Sequence, residues 1–420
     1  SSMIRDWQSE LDRVVERQFA SLVELRRHLH IHPEPSGEER ETTRYISQWL
    51  EDSGYNTRIG PDGRGLLADF PSKQSRFPLP RIALRADLDG LHIQDSKQVA
   101  YHSKVTGVMH ACGHDAHTAL VAGALSAICE LEQREHLPWP VSLRGIFQPA
   151  EETCQGAREM IDFGALERVE AIFSTHMDPL RSIGHVGLRK GTLTANCDEV
   201  MLTISGRGGH AARPHETSDP IAAAAQLINA IYISLPRLTD SQDAVVVTIG
   251  QISGGENANV IPEKVQLRGT VRTLDRNVRD QTLAHLQQLA NGVGSTTRTA
   301  VTLTLGPGAP GVFNDHRLFD LVRRCAREVV DEKGLDSLAR PSMGSEDFAF
   351  YLQQVPGFML RIGSHAEHAQ PTPLHTPEFD IDEKAISIGA KILARIAIYW
   401  SDPNRVQLEN PSLRQPIAET

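Results

Sequence analysis

Met109-His-Ala-Cys-Gly-His-Asp-Ala-His117 runs directly into the apolar, Ala-rich run 118–129. Three histidines, a cysteine and an aspartate crowd into this short turn ahead of what reads as a helix. Imidazole, thiolate and carboxylate at such spacing are the donors a borderline-soft divalent ion selects. Cys112 and His114 can face one another only across a turn, and Gly113 supplies it. The helix that follows would aim its positive end at the cluster and favour thiolate at Cys112. The competing reading is a solvated His-rich loop beside an ordinary buried cysteine, so the flanking chain must supply further ligands.

It does so on both sides. Residues 81–85 (Arg-Ile-Ala-Leu-Arg) read as a buried strand with Asp87 and Asp89 just past its end. Residues 141–148 read as the next strand, followed at once by Pro149-Ala-Glu-Glu152. After a helix near 156–163, a strand over 171–175 runs into His176. Strands alternating with helices predict an α/β fold, a largely parallel sheet covered by helices. Ligands of such sheets bind beyond the carboxyl ends of the strands. Asp87, Glu151, Glu152 and His176 all fall at such ends, so separate strands deliver metal-type side chains to one rim.

Upstream, apolar residues recur at helical spacing from Ile4 to His30, and Pro33 stops the helix. Ser36 with Glu39 predicts a capping box opening a helix to about Leu50, ended by Gly54. Short strands are expected near 56–59 and 66–70. From about Gly191 the texture changes to β-α-β-β-α-β: strands at 199–205, 244–252, 264–273 and 300–305, helices at 219–235 and 278–291. That order predicts a ferredoxin-like α+β domain inserted into the first. The division is therefore 1–190 (catalytic, first part), 191–307 (inserted) and 308–420 (catalytic, second part). The α/β pattern resumes with a helix at 315–333, a loop at 342–348, a strand at 358–363, His375 and a helix at 382–400. The tail beyond Asp402 is polar and reads as lightly docked.

The chain has 420 residues, 40% of them hydrophobic and 23% charged, with a formal net charge of −10. The length suits more than one core. The negative charge disfavours nucleic-acid and membrane-surface partners. Five scattered cysteines make no disulfide framework and fit a reducing, cytoplasmic setting. The opening residues lack the basic and apolar regions of a signal peptide, and no apolar run reaches the roughly 18 residues of a membrane span.

The candidate ligands are Cys112, His114, Glu152, His176 and His375. Five exceed what one tetrahedral ion takes, so a bridged pair of divalent ions with open positions is the economical arrangement. A structural zinc site would want a closed set of four, usually from paired Cys-x-x-Cys, and that spacing is absent. On an extended segment Glu151 and Glu152 would point to opposite sides; one ligates, the other faces the water and moves its proton. Asp87 and Asp89 are expected to orient ligating histidines. His110 and His117 adjoin the cluster with a weaker claim to the metals. In the insert, Gly206-Arg-Gly-Gly-His210 with Arg213 and His215 suits an oxyanion donor or a carboxylate clamp, and Asn259 adds a polar contact. Arg268 and Arg272 read as surface charges on a strand.

These motifs together resemble the aminoacylase-type dinuclear metallopeptidases, in the branch of hippurate hydrolases, N-acyl-amino-acid amidohydrolases and auxin-conjugate hydrolases. The resemblance runs from Arg26-Arg-His-Leu-His-x-x-Pro-Glu34 to the helix near Trp400. It rests on Leu84-Arg-Ala-Asp-Leu-Asp89, the Met109–His117 stretch, Phe147-Gln-Pro-Ala-Glu-Glu152, Gly206-x-Gly-Gly-His210, Asn259-Val-Ile-Pro262, Gly269-Thr-Val-Arg272 and Met343-Gly-x-Glu-Asp-Phe348. It implies the same five ligands, Glu151 as general base and acid, and zinc or manganese, with nickel or cobalt as alternatives. It also implies a homodimer through the inserted domain, with His210 reaching an active site across the dimer to polarise the scissile carbonyl. The implied reaction is hydrolysis of N-acyl or N-aroyl amino acids to a carboxylic acid and an amino acid. A di- or carboxypeptidase using the same centre is the alternative, and a silent metal-dependent binding protein would need a damaged ligand or base. His92, where the branch has proline, and Met177-Asp-Pro-Leu-Arg-Ser182 depart from the pattern and bear on substrate choice.

Overall fold

The computed structural model describes residues 6–70 and 80–405. The expectations for the opening residues and for the tail past residue 405 lie outside them. The first helix, Trp7–Ile31, is capped by Asp6, whose carboxylate accepts from the Ser9 backbone N–H. Its buried stripe of Leu11, Val14, Val15, Leu22, Leu25 and Leu29 has the helical period that the sequence displays. It packs on His114–Gln133 and on Lys384–Trp400, and these three form one helical layer. The crossing is close: a Cβ at Gly123 would sit 2.6 Å from Leu22 Cδ1, so a larger residue there would have to displace the Leu22 side chain.

The large sheet has eight strands in the order Asn56–Ile59, Leu66–Asp69, Leu143–Gln148, Arg81–Asp87, Val169–Ser182, Gly357–His365, Val186–Leu188, Leu335–Ser337. The four central strands run parallel, and antiparallel partners flank them. The fold is α/β with a largely parallel sheet. Leu143–Gln148 is buried along its whole length and Arg81–Asp87 at all but its first residue, as a sheet covered on both faces requires. Alternation separates the two faces. Phe358, Leu360 and Ile362 enter the core with the three helices, while Met359 joins a second core with Phe348 and Tyr351.

A separate four-stranded antiparallel sheet has the order Val245–Ser253, Lys264–Thr273, Asn196–Ser205, Ala300–Ala309. Helices Pro220–Leu238 and Arg276–Thr297 pack against it and share its apolar core of Leu202, Leu227, Ile231, Leu267 and Leu286. This is the expected ferredoxin-like unit. Its last strand continues past the expected stop at Leu305: after a bulge, Gly308 and Ala309 pair with Asp198 and Cys197. The 19-residue helix Pro220–Leu238 passes a length and composition test for a membrane span, against expectation. Its buried residues, Ala223, Ala224, Leu227, Ile231 and Leu235, pack on the sheet.

Three local expectations fail. Ser36 and Glu39 form no capping box, and the helix Arg40–Asp52 has no side-chain cap from Glu39. The carboxylate of Glu34 instead accepts from the Glu41 and Thr42 backbone N–H groups, which frees Ser36 and Glu39 for other partners. His176 lies within the strand Val169–Ser182 and not past its end. The register of that strand with Arg81–Asp87 stops at Ser174, and on its other side His176 pairs with Arg361 of Gly357–His365. Glu151 and Glu152 sit in a turn after Ala150, whose φ is +50°, and not on an extended segment.

Candidate metal centre

Gly113 caps the helix His114–Gln133 in the left-handed conformation (φ +84°). A Cβ there would lie 2.9 Å from Met177 Cγ, so the turn between Cys112 and His114 depends on glycine. The turn brings Cys112 Sγ to 3.6 Å from His176 Nε2. His375 arrives from the far end of the chain; its backbone N–H donates to the Ala111 carbonyl at 2.7 Å. There its Nε2 lies 3.3 Å from Glu152 Oε1.

The hydrogen bonds fix the tautomers. His114 Nδ1 faces the Asp89 carbonyl oxygen at 2.9 Å and so carries the proton, leaving the Nε2 lone pair free. His176 Nδ1 donates likewise to the Met177 carbonyl at 2.8 Å. His117 differs, because its Nε2 accepts from the Met177 N–H at 2.9 Å while Nδ1 donates to Asp87 at 2.7 Å. Both its nitrogens are used, so it positions Asp87 and has no lone pair for a metal. His110 is buried, and neither ring nitrogen has a hydrogen-bond partner among the described residues; no donor group includes it.

Donor atoms within 4.8 Å of one another form overlapping groups: Cys112/His114/His176, Cys112/Glu152/His375 and His114/Glu151/Glu152. Cys112 belongs to two of them, one toward each histidine pole. All five predicted ligands therefore meet. Glu151 and Glu152 both turn toward His114, each 3.7 Å from its Nε2, because the turn at Ala150 removes the alternation of an extended segment.

The donor set fits divalent cations. His114 Nε2 is buried without a hydrogen-bond partner and confronts Asp87, Glu151 and Glu152. Glu152 Oε1 likewise makes no hydrogen bond among the described residues and lies between the His114 and His375 rings. Burial opposes charging of His114, yet Asp87 and the hydrogen bond to Asp89 hold its proton affinity well above the usual histidine range. Burial, then Glu346 and Glu152, raise the Glu151 carboxyl well above its ordinary value. Burial and Glu152 also push the Cys112 thiol up, so the helix terminus alone does not give the expected thiolate. Each of these groups gains from a positive charge placed among them.

Sequence reasoning assigned no role to the support underneath. The buried Arg85 guanidinium donates to Gln148 Oε1 (2.9 Å), Asp87 Oδ2 (3.3 Å), Glu346 Oε1 (3.0 Å) and Asp347 Oδ1 (2.9 Å). Asp347 also accepts from the Ala157 N–H and stands with Glu346 beside Glu151. Asp89 accepts from Ser36 Oγ at 2.6 Å and from the Glu152 backbone N–H at 3.0 Å, besides holding His114. Of the two aspartates expected to orient ligating histidines, Asp89 bonds His114 Nδ1, whereas Asp87 bonds His117 and faces His114 Nε2 at 3.4 Å. His210 and Asn259 stand apart. His210 is exposed, pairs with Val260 in a two-residue ladder and accepts from the Ala212 N–H. The exposed Asn259 offers its carbonyl to the Ala211 N–H. Neither joins the donor cluster. Arg268 pairs with Glu199 on the surface, whereas Arg272 is half-buried and donates to the Met343 carbonyl.

An α/β sheet whose rim gathers five metal donors beside a proton-hungry glutamate defines a metal-dependent hydrolase with a dinuclear centre. A sequence model of Peptidase family M20/M25/M40 matches residues 83–399, and the chain belongs to that family. It is 36% identical over 379 residues to an N-acetylcysteine deacetylase of Bacillus subtilis, covering 90% of this chain and 96% of that one. It is 33% identical to IAA-amino acid hydrolase ILR1-like 2 of Arabidopsis thaliana, covering 91% of this chain and 85% of the other. Among solved structures, the Bacillus subtilis YXEP protein, described as a dinuclear metal-binding peptidase of the M20 family, superposes with a TM-score of 0.75. That pair is 34% identical, with 92% of this chain and 99% of the other covered. The chain is an amidohydrolase whose donor groups accommodate two divalent metal ions.

Proposed function

We propose that the enzyme hydrolyses N-acyl or N-aroyl amino acids to a carboxylic acid and an amino acid, with Cys112, His114, Glu152, His176 and His375 as metal ligands. The observation that carries this is the double membership of Cys112: two donor groups share its sulfur, and Glu151 is grouped with His114 of the one and Glu152 of the other. When bound, a pair of divalent ions acidifies water and polarises a carbonyl group. Glu151, buried beside Glu346 and Glu152, takes the proton released as water attacks the amide carbon and delivers it to the departing nitrogen. Asp89, at the other ring nitrogen, keeps His114 aimed while this happens.

The substrate class follows relatives named for deacetylating N-acetylcysteine and for hydrolysing IAA–amino acid conjugates. Zinc or manganese suits this mixed sulfur, nitrogen and oxygen set, with nickel or cobalt as alternatives. The division at 191 and 307, a cytoplasmic setting and a homodimer built through the inserted unit belong to the same reading. In it His210, exposed and outside the centre of its own subunit, donates to the oxyanion in a second copy. The test is a screen of the metal-loaded protein against N-acyl amino acids beside dipeptides. Turnover of the acylated compounds is expected; turnover of dipeptides alone would replace this reading by a peptidase.

A further inference from the structure

Arg361 is a cation that nothing in the preceding account uses. It lies in the strand Gly357–His365, in register with His176 on the parallel strand beside it. Register partners in a parallel pair project from the same face. Alternation agrees: Phe358, Leu360 and Ile362 enter the helical core, while Met359 lies on the opposite face, so Arg361 shares the face of Met359. On the neighbouring strand Ile172 belongs to that same second core, which puts Ser174 and His176 on this face too. Arg361 therefore stands beside the histidine whose Nε2 is 3.6 Å from Cys112 Sγ, and it interacts electrostatically with Glu346, Asp178 and Cys112, and unfavourably with Arg181.

Its guanidinium has no hydrogen bond and no ion pair among the described residues, although the residue is half-buried. The neighbouring cations are engaged: Arg85 with Asp87, Glu346 and Asp347, and Arg181 with Asp178 and Asp336. An unpaired guanidinium in a half-desolvated position is costly, and more so beside a centre that collects divalent cations. An anion held between guanidinium and centre removes both penalties, and a planar carboxylate matches the guanidinium fork.

We propose that Arg361 is a specificity-determining residue that receives a carboxylate of the substrate on the Cys112–His176 side of the metal centre. This rests on the reading of the centre as an N-acyl amino acid hydrolase. Two parts of such a substrate can present the carboxylate: the amino-acid half, or an acyl half that is itself a dicarboxylic acid. The chemistry at Arg361 is the same for both.

The experiment compares wild type, Arg361→Leu and Arg361→Lys, all metal-loaded, on two substrate pairs. N-acetylmethionine against its carboxamide isolates the carboxylate of the amino-acid half; N-succinylmethionine against N-acetylmethionine isolates one on the acyl half. The expected result is a fall of about 10- to 100-fold in kcat/KM for the charged member of one pair in Arg361→Leu. The fall is carried mainly by KM, with partial retention in Arg361→Lys and less than about a 3-fold change for the neutral member. The pair that responds names the half. Equal losses on charged and neutral members of both pairs would overturn the proposal, and so would no loss at all. If wild type hydrolyses none of these compounds, the functional reading fails by itself. Arg361 is then judged by calorimetric titration of succinate and methionine into the same proteins, where unchanged affinity in Arg361→Leu and Arg361→Lys counts against it.

Discussion

The carboxylate of Glu39 accepts a hydrogen bond from the backbone N–H of Ala150 at 2.6 Å, one residue ahead of Glu151. A side chain on the lip of the second helix thus fixes the turn that presents Glu151. Burial, and then the neighbouring Asp89, raise the Glu39 carboxyl from 4.5 to about 7. A carboxyl raised on folding binds more protons in the native than in the unfolded chain between those values. Stability from this group is therefore full below about pH 4.5 and declines as pH rises toward 7, with a slope of at most about 1.4 kcal/mol per pH unit. Glu39→Gln should flatten that part of the profile. Urea midpoints measured at half-unit steps of pH check this, and an unchanged slope would refute it.

Glu151→Gln keeps the shape of the side chain and removes its capacity to accept a proton. Metal content should stay at the wild-type level while kcat falls by about 10²- to 10⁴-fold. Elemental analysis beside steady-state kinetics decides it, and full activity would remove Glu151 from proton transfer.

Asp89→Ala deletes one acceptor from His114, Ser36 and the Glu152 backbone together. Metal affinity should weaken by about 10- to 100-fold, as for other carboxylates that orient ligating histidines. Competition with a chromophoric chelator measures the change, and unaltered affinity would mean that packing alone orients His114.

Arg85→Met leaves Asp87, Glu346 and Asp347 buried without their shared cation. The expected loss is about 3–5 kcal/mol of stability, readable from denaturant unfolding. A loss under about 1 kcal/mol would mean that these carboxylates take up protons at little cost.

Stripping the protein with a chelator should abolish turnover and lower Tm, because the crowded carboxylates around His114 then repel one another. Re-addition of zinc or manganese should restore both. Activity that survives exhaustive chelation would contradict a metal centre.

The sequence displays what short-range patterns encode. The strands expected at 81–85 and 141–148, the Gly113 turn and the apolar stripe of the first helix appear in the structure at or near their expected positions, the first strand running on to include Asp87. What it conceals is long-range pairing. Ser36-x-x-Glu39 has the spacing of a local cap, yet Ser36 serves Asp89 and Glu39 serves Ala150, 53 and 111 residues away. Arg85 reads as one residue of a buried strand, and its bond to Asp347 spans 262 positions. The three-residue strands Val186–Leu188 and Leu335–Ser337 are too short to show any alternation. The turn at Glu151 escaped because a positive φ at an alanine has no sequence signature.

The seating of His375 against the Ala111 carbonyl has a consequence for biogenesis. Four of the five donors precede residue 177, whereas the fifth emerges only after the whole antiparallel unit has been synthesised. A nascent chain therefore offers Cys112, His114, Glu152 and His176 well before His375 closes the set. Tight capture of cations is deferred until residue 375 has been made, and any fragment ending short of it leaves Glu152 without the His375 imidazole.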